Sequence, residues 1–229
     1  IAVLERGDAG DLGGRADVER ATHPMQHVDH RRLRVSVNAP LMFDSSVKQL
    51  IQLLYGHELC IIPEDVRIDG QELVKHLSEQ RIDVLDCTPS QLRLMLPTGF
   101  FENDRQAPSL VLVGGEAIDD ETWHLLAACK QTTFFNVYGP TECTVDSTVS
   151  RIQPAANEVL IGRPLNNVQT YVLDGDDDPV PVGVAAELVI GGAGVARGYL
   201  ANPDLTAARF VPDAFSGRPG ARARHHSAS

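Results

Sequence analysis

The densest run of reactive side chains is Asn136-Val137-Tyr138-Gly139-Pro140-Thr141-Glu142, which closes an apolar stretch. A tyrosine ring stacks on a purine, a threonine hydroxyl donates to a phosphate oxygen, and a glutamate holds Mg²⁺ against phosphates. The same residues also make an ordinary tight turn, and taken alone they do not choose. A second run, Gly191 to Gly198 (GGAGVARG), follows a strand-like segment and invites a dinucleotide-binding reading. That fingerprint requires its glycines to open a helix, here directly after Gly194, whereas Asn202-Pro203 breaks any helix early. A structural β-turn is the better expectation. A third pair, Asp44 and Lys48, stands one helical turn apart on one helix face.

Alternating elements have to position these groups. VSVNAP from Val35 reads as a strand, and Ser45 or Ser46 then caps a helix with Val47, Leu50, Ile51 and Leu54 on one face. ELCIIP has the continuous apolar character of a buried strand. A helix from about Gly70 to Gln80, the strand DVLDC, a helix from about Pro89 to Met95 and the strand LVLVGG follow. A helix from about Asp119 to Ala128 and the strand FFNVYG complete the series. Strands alternating with helices imply an α/β unit with a largely parallel sheet and flanking helices. Ligands on such sheets bind beyond the carboxyl ends of the strands, where FDSS, DCTPS, GGEA and YGPTE all fall. After Glu142, TVDSTVSRI, VQTYVLD and AAELVIGG alternate apolar and polar side chains, which points to a second, all-β unit shaped as part of a small distorted barrel.

The 229 residues, 43% hydrophobic, suffice for one large or two small cores. No run approaches the roughly 20 apolar residues that span a bilayer, and the first residues lack the basic start of a secretory signal. Four scattered cysteines, Cys60, Cys87, Cys129 and Cys143, have no CxxC spacing, so free thiols in a reducing, cytoplasmic setting are expected. A net charge of −11 argues against a nucleic-acid partner. Residues 1–34 carry six arginines and six acids, and residues 216–229 carry three arginines and no acid. Residues 35–215 are left with eleven basic and twenty-five acidic groups. These seams divide the chain into 1–34, 35–143 (α/β), 144–215 (β) and 216–229, with both ends expected to pack poorly.

Taken together, NVYGPTE, the upstream FDSS, VGGEA, IGRP and AELVIGGAGVARGYLANPDLTAARF resemble the adenylate-forming enzymes, specifically the adenylation domains of nonribosomal peptide synthetases. The resemblance covers roughly residues 35 to 216. It implies an ATP- and Mg²⁺-dependent ligase that converts an amino acid to aminoacyl-AMP and pyrophosphate. The aminoacyl group would then pass to the phosphopantetheine of a peptidyl carrier domain, next to a condensation domain. By the match, Asn136 meets the adenine amino group, Tyr138 and Gly139 border the ring, and the Gly115-Glu116-Ala117 backbone forms the opposite wall. Thr141 contacts the α-phosphate and Glu142 holds the metal, the two acting as the catalytic residues. Asp44 pairs with the substrate α-ammonium.

The selectivity pocket implied is Asp44, Ser45, Lys48, Asp86, Leu112, Gly114, Val137, Val145 and Asp146, a pattern similar to glutamate- and glutamine-selecting domains. A buried lysine needs an anionic partner. Asp86 either neutralises Lys48, leaving room for an amide, or flanks a substrate carboxylate with Lys48 between them.

The family's phosphate-clamping loop is absent upstream of FDSS. ARHHSAS stands where YRTGD is expected, and the lid domain with its catalytic lysine does not follow. The expectation is a fragment that does not complete adenylation by itself, with a non-catalytic nucleotide- or amino-acid-binding relative as the alternative.

Overall fold

The computed structural model describes residues 3–4, 31–103, 106–156 and 158–226. Strand β1 (Val3–Leu4) is followed by β2 (Arg34–Val37), helix α1 (Ser45–Leu50), a 3-10 helix (Ile51–Tyr55) and β3 (Glu58–Ile61). Then come α2 (Glu64–Arg67), α3 (Gly70–Glu79), β4 (Val84–Cys87), α4 (Pro89–Met95) and α5 (Phe100–Asn103). The pattern continues with β5 (Leu110–Gly114), α6 (Asp120–Ala128), β6 (Thr133–Tyr138), β7 (Thr148–Arg151) and β8 (Leu160–Pro164). The last elements are β9 (Val168–Leu173), β10 (Glu187–Gly192), α7 (Pro203–Arg209), β11 (Phe210–Pro212) and β12 (Arg222–His226).

Short polar side chains start the helices that sequence places best. Asp69 accepts from the Gln71 and Glu72 amides at α3, Thr88 from Gln91 ahead of Pro89 at α4, and Asp119 from Thr122 at α6. Their buried sides, Leu73 and Leu77, Leu92 and Met95, Trp123 and Leu126, meet Leu85, Val111 and Phe134 on one face of the sheet. The opposite face carries Val35, Val84, Leu110, Leu112, Val137 and Val149.

The main sheet has eight strands in the order β1-β8-β7-β6-β5-β4-β2-β3. From β6 to β3 every neighbour is parallel, and β7 is antiparallel to both β6 and β8. The expected largely parallel α/β sheet is thus present. The barrel-like unit is a four-stranded antiparallel sheet, β11-β12-β10-β9.

Several expectations are corrected. β7 and β8 belong to the main sheet, so the second sheet starts at Val168 and not at residue 144. Alternation announces a strand but not the edge it joins, and the antiparallel pairing to β6 draws both into the larger sheet. ELCIIP forms the edge strand β3, with Ile61 75% exposed. The seam at residue 34 falls inside β2: Leu33 is fully buried, and Arg34 bonds Glu58 and the Gln80 carbonyl. Of the segment 1–34, residues 1–2 and 5–30 lie outside the described residues, while Val3–Leu4 pairs with β8. The tail expected to pack poorly supplies β12, held between β10 and β11. Alternating Arg222, Ala223 and Arg224 suit a strand, with Ala223 buried against Val189 and Leu173. Residues 227–229 lie outside the described residues.

The first helix is turned over relative to expectation. Val47, Leu50, Ile51 and Leu54 are exposed, whereas Ser46, Gln49 and Gln52 are 2%, 2% and 6% exposed. A buried carboxylate, Asp86, calls for donors, and the polar stripe of the helix supplies them. Asp44 occupies the N-cap without a capping bond, and Ser46 instead donates to the Phe43 carbonyl. No helix follows Gly194; the next begins at Pro203, which removes the dinucleotide reading. Among the described residues no helix is long and apolar enough to cross a membrane. All four cysteines are free thiols; Cys60, Cys87 and Cys143 are buried, and Cys129 bonds the Phe101 carbonyl.

Candidate functional site

The carboxyl ends of β2, β4, β5 and β6 converge on a buried ionic cluster. Lys48 of α1 places Nζ 3.1 Å from Asp86 Oδ2 and 3.1 Å from Asp146 Oδ2. All three side chains are about nine-tenths buried, at 11%, 9% and 9% exposure. Burial by itself would discharge the lysine, but the two aspartates outweigh it and hold Lys48 well above its ordinary value. Burial raises Asp86, with Asp146 adding to the rise and Lys48 opposing it. One cation between two carboxylates leaves the cluster a proton acceptor.

Strand register supplies the walls. Asp86 lies beside Leu112, and Gly114 beside Val137, so these four share the face opposite α3, α4 and α6. A side chain at Gly114 would place its Cβ 2.5 Å from the Val137 carbonyl oxygen, so only glycine lets the strands close here. The turn after β6 brings Asp146 in through strained backbone. Thr144 and Val145 both take positive φ, 64° and 68°, which a β-branched residue rarely adopts. Thr144 Oγ1 donates to the Gly194 carbonyl, and Gly139 leaves the space in which the Val145 carbonyl folds back. Asp44 and Ser45 stand half-buried at the start of α1, and among the described residues no side chain pairs with the Asp44 carboxylate.

The residues expected to meet the nucleotide lie in and after β6 and just after β5. Asn136 is 6% exposed and donates to the Leu160 carbonyl at 2.8 Å, which leaves its Oδ1 as an acceptor. Among the described residues the buried Tyr138 hydroxyl has no hydrogen-bond partner, and burial raises it strongly. The Glu116 carboxylate accepts from the Ser90 amide and hydroxyl at the start of α4. Thr141 is exposed. Glu142 is engaged through Oε1 by the Tyr199 hydroxyl and by Arg224 Nη2 at 2.9 Å. Burial pushes the Glu142 carboxyl up, but those two donors outweigh it and hold it below its ordinary value.

Sequence reasoning missed four residues here. Tyr199, Arg224 and His226 come from segments distant in sequence, and the His226 ring stands edge-on to Tyr138 at 5.4 Å. The fourth, Gln49, lies behind Asp86, and the polar spacing Ser46-Gln49-Gln52 was its available signal.

A single carboxylate suits Mg²⁺, which is commonly held by one or two carboxylates together with substrate phosphates. Among the described residues no group of three or more His, Cys, Asp or Glu forms a metal cage. With Oε1 engaged, Glu142 would ligate through Oε2.

The AMP-binding enzyme family matches residues 16–200, beginning inside the segment expected not to match. The AMB antimetabolite synthetase AmbE of Pseudomonas aeruginosa is 47% identical over 185 residues, covering 81% of this chain and 9% of that protein. Bacitracin synthase 1 of Bacillus licheniformis is 40% identical over 201 residues, covering 83% of this chain and 4% of that protein. A four-domain nonribosomal peptide synthetase, holo-AB3403 bound to AMP and glycine, superposes with a TM-score of 0.75 at 35% identity. That match spans 85% of this chain and 14% of that one. The N-terminal subdomain of Klebsiella oxytoca NpsA gives 0.76 at 26% identity, over 89% of this chain and 53% of that one. The chain thus spans only a small part of its curated relatives, and it belongs to the AMP-binding enzyme family as a partial adenylation domain of the nonribosomal peptide synthetase kind.

Proposed function

We propose that this segment carries the amino-acid pocket and part of the nucleotide site of a domain that joins glutamate or glutamine to AMP, with release of pyrophosphate. The observation that carries the reading is Lys48 buried between Asp86 and Asp146. Nζ lies within 3.3 Å of three carboxylate oxygens, Asp86 Oδ2 and both oxygens of Asp146, so a substrate oxygen would share the ammonium with them. The aspartates retain lone pairs that accept from an amide. A side chain ending in a carboxyl or carboxamide can bond to this cluster, whereas an apolar end would lie against buried charge with nothing to offer it. Asp44, unpaired at the pocket edge, receives the α-ammonium.

In this reading the substrate carboxylate attacks the α-phosphate, and catalysis is mostly orientation and charge stabilisation. Asn136 Oδ1 accepts from the adenine amino group, Tyr138 and the Gly115–Ala117 backbone border the ring, and Thr141 donates to the phosphate. Mg²⁺, when bound at Glu142, neutralises phosphate charge. The phosphopantetheine thiol on a carrier domain of the same synthetase then takes the aminoacyl group as a thioester, with AMP leaving, and a condensation domain lies beyond.

A second reading, a binding module without catalysis, is favoured by one observation: Arg224 of this chain occupies Glu142. Amino-acid-dependent pyrophosphate exchange separates the two when measured with a complete adenylation domain carrying this segment. Exchange highest with glutamate or glutamine is expected. Exchange highest with an apolar or cationic amino acid removes the substrate assignment, and no exchange with any amino acid favours the binding module.

A further inference from the structure

Gln49 is 2% exposed and spends both side-chain polar atoms on the pocket wall. Its Oε1 accepts from the backbone amides of Asn38 at 2.8 Å and Ala39 at 3.0 Å, at the carboxyl end of β2. Two N–H donors on one oxygen fix which way the amide points, so Nε2 must face Asp86, where it donates to Oδ2 at 3.2 Å. The same Oδ2 receives Lys48 at 3.1 Å, and the Asp86 carbonyl accepts from the Asn38 side chain at 3.0 Å. Gln49 therefore ties together three things: the end of β2, the helix that carries Lys48, and the carboxylate on β4. None of these contacts is needed to bury apolar surface.

We infer that Gln49 is a positioning residue for amino-acid selection: by donating to Asp86 Oδ2 it keeps that oxygen an acceptor aimed at Lys48, and so sets which side-chain terminus the pocket takes. With two donors on Oδ2, that oxygen stays free of a proton. Lys48 is then shared between Asp86 and Asp146 with its ammonium held in one place. Without the Gln49 donor, Asp86 Oδ2 is held by Lys48 alone, and both the direction and the charge of the pocket can change with it. The titratable groups facing Asp86 are Lys48 from α1 and Asp146 from the turn after β6; Cys87, next to it on β4, packs on the other face of the sheet. This inference rests on the amino-acid pocket proposed above.

The test uses a complete adenylation domain carrying this segment. Gln49→Glu keeps an acceptor for the Asn38 and Ala39 amides but sets a carboxyl against Asp86, so that the two share a proton. The expected result is an amino-acid KM raised about tenfold near pH 8, with recovery toward wild type near pH 6 as the shared proton restores a donor. The KM for ATP should stay within about twofold of wild type, because the nucleotide rim is untouched. Gln49→Met, similar in volume and uncharged, should raise the amino-acid KM about fivefold at both pH values with the same unchanged KM for ATP. An amino-acid KM and a Glu/Gln ratio within about twofold of wild type for both variants would overturn the inference, as would KM for amino acid and ATP rising together. A wild-type domain that activates neither glutamate nor glutamine refutes the substrate reading instead. Gln49 is then read with whichever amino acid the wild type takes best.

Discussion

Arg224 Nη2 lies 2.9 Å from Glu142 Oε1, across 82 residues of chain. The bond ties the last described strand to the carboxylate that would hold Mg²⁺, and His226 two residues on lies edge-on against Tyr138. The chain's own cation thus stands beside the oxygen pair where a metal ion would sit.

Removing that cation should show a signed pH dependence. Glu142 is held below its ordinary value, so the pair stabilises the fold above the unfolded carboxyl pKa of about 4.3. That contribution is lost as pH falls through the lower folded value. Arg224→Ala should therefore cost about 1 kcal/mol at neutral pH and clearly less near pH 3. Urea denaturation of this chain at the two pH values measures it. A penalty of equal size at both would show that Arg224 acts by packing.

The tail should exchange slowly. β12 is flanked by β10 on one side and β11 on the other. Amide hydrogen exchange at Ala223, Arg224 and His225 should be slowed to the range of Leu188 to Gly191. Exchange as fast as that of an exposed loop would remove β12 from the sheet.

Lys48→Met should be costly in a way that acid repairs. It leaves two buried aspartates without their cation, a loss of about 3–5 kcal/mol at neutral pH. Burial raises Asp86, so the folded variant takes up a proton more readily than the unfolded chain. The stability this brings is present below the unfolded pKa and disappears as pH rises through the folded one. Chemical denaturation should show the deficit shrinking below about pH 5. Adding Asp86→Asn should recover about 2 kcal/mol at neutral pH, and strict additivity of the two substitutions would count against the cluster.

The turn after β6 offers a paired test of strain. A Cβ at Gly139 would lie 2.2 Å from the Val145 carbonyl oxygen and 2.7 Å from the Ser147 amide, so Gly139→Ala should cost about 3 kcal/mol or more. Val145→Gly relieves a φ of 68° and should raise stability by about 1 kcal/mol while loosening Asp146. Thermal melts of both variants measure the effects. A fall in Tm for Val145→Gly would mean that its side-chain packing outweighs the strain.

What sequence showed well was local. Asp69, Thr88 and Asp119 announce α3, α4 and α6 because a cap and the turn it starts lie within four residues of each other. What it showed poorly depended on distant partners. Periodicity placed Val47, Leu50, Ile51 and Leu54 on one helix face, but only Asp86, 37 residues beyond Gln49, explains why Gln49 faces inward instead. Lys48 and Asp146 are 98 residues apart, and no spacing rule joins them; the resemblance placed both in one pocket. The sharing of one ammonium between two aspartates, and the capture of Glu142 by Arg224, emerged only from the folded chain.

The four cysteines turn the molecule into its own unfolding recorder. Cys60 sits in edge strand β3, Cys87 in central β4, Cys143 in the turn after β6 and Cys129 just after α6. Burial pushes the Cys143 thiol up to about 11 and raises Cys60 and Cys87 as well. Folded protein should therefore resist alkylation at these three, because the thiolate is the reacting form. A brief pulse of a maleimide during denaturation, read by mass, would add one tag for each region that has opened. The order of tagging at Cys60, Cys87 and Cys143 would time the opening of the sheet from its edge to its centre without any introduced probe.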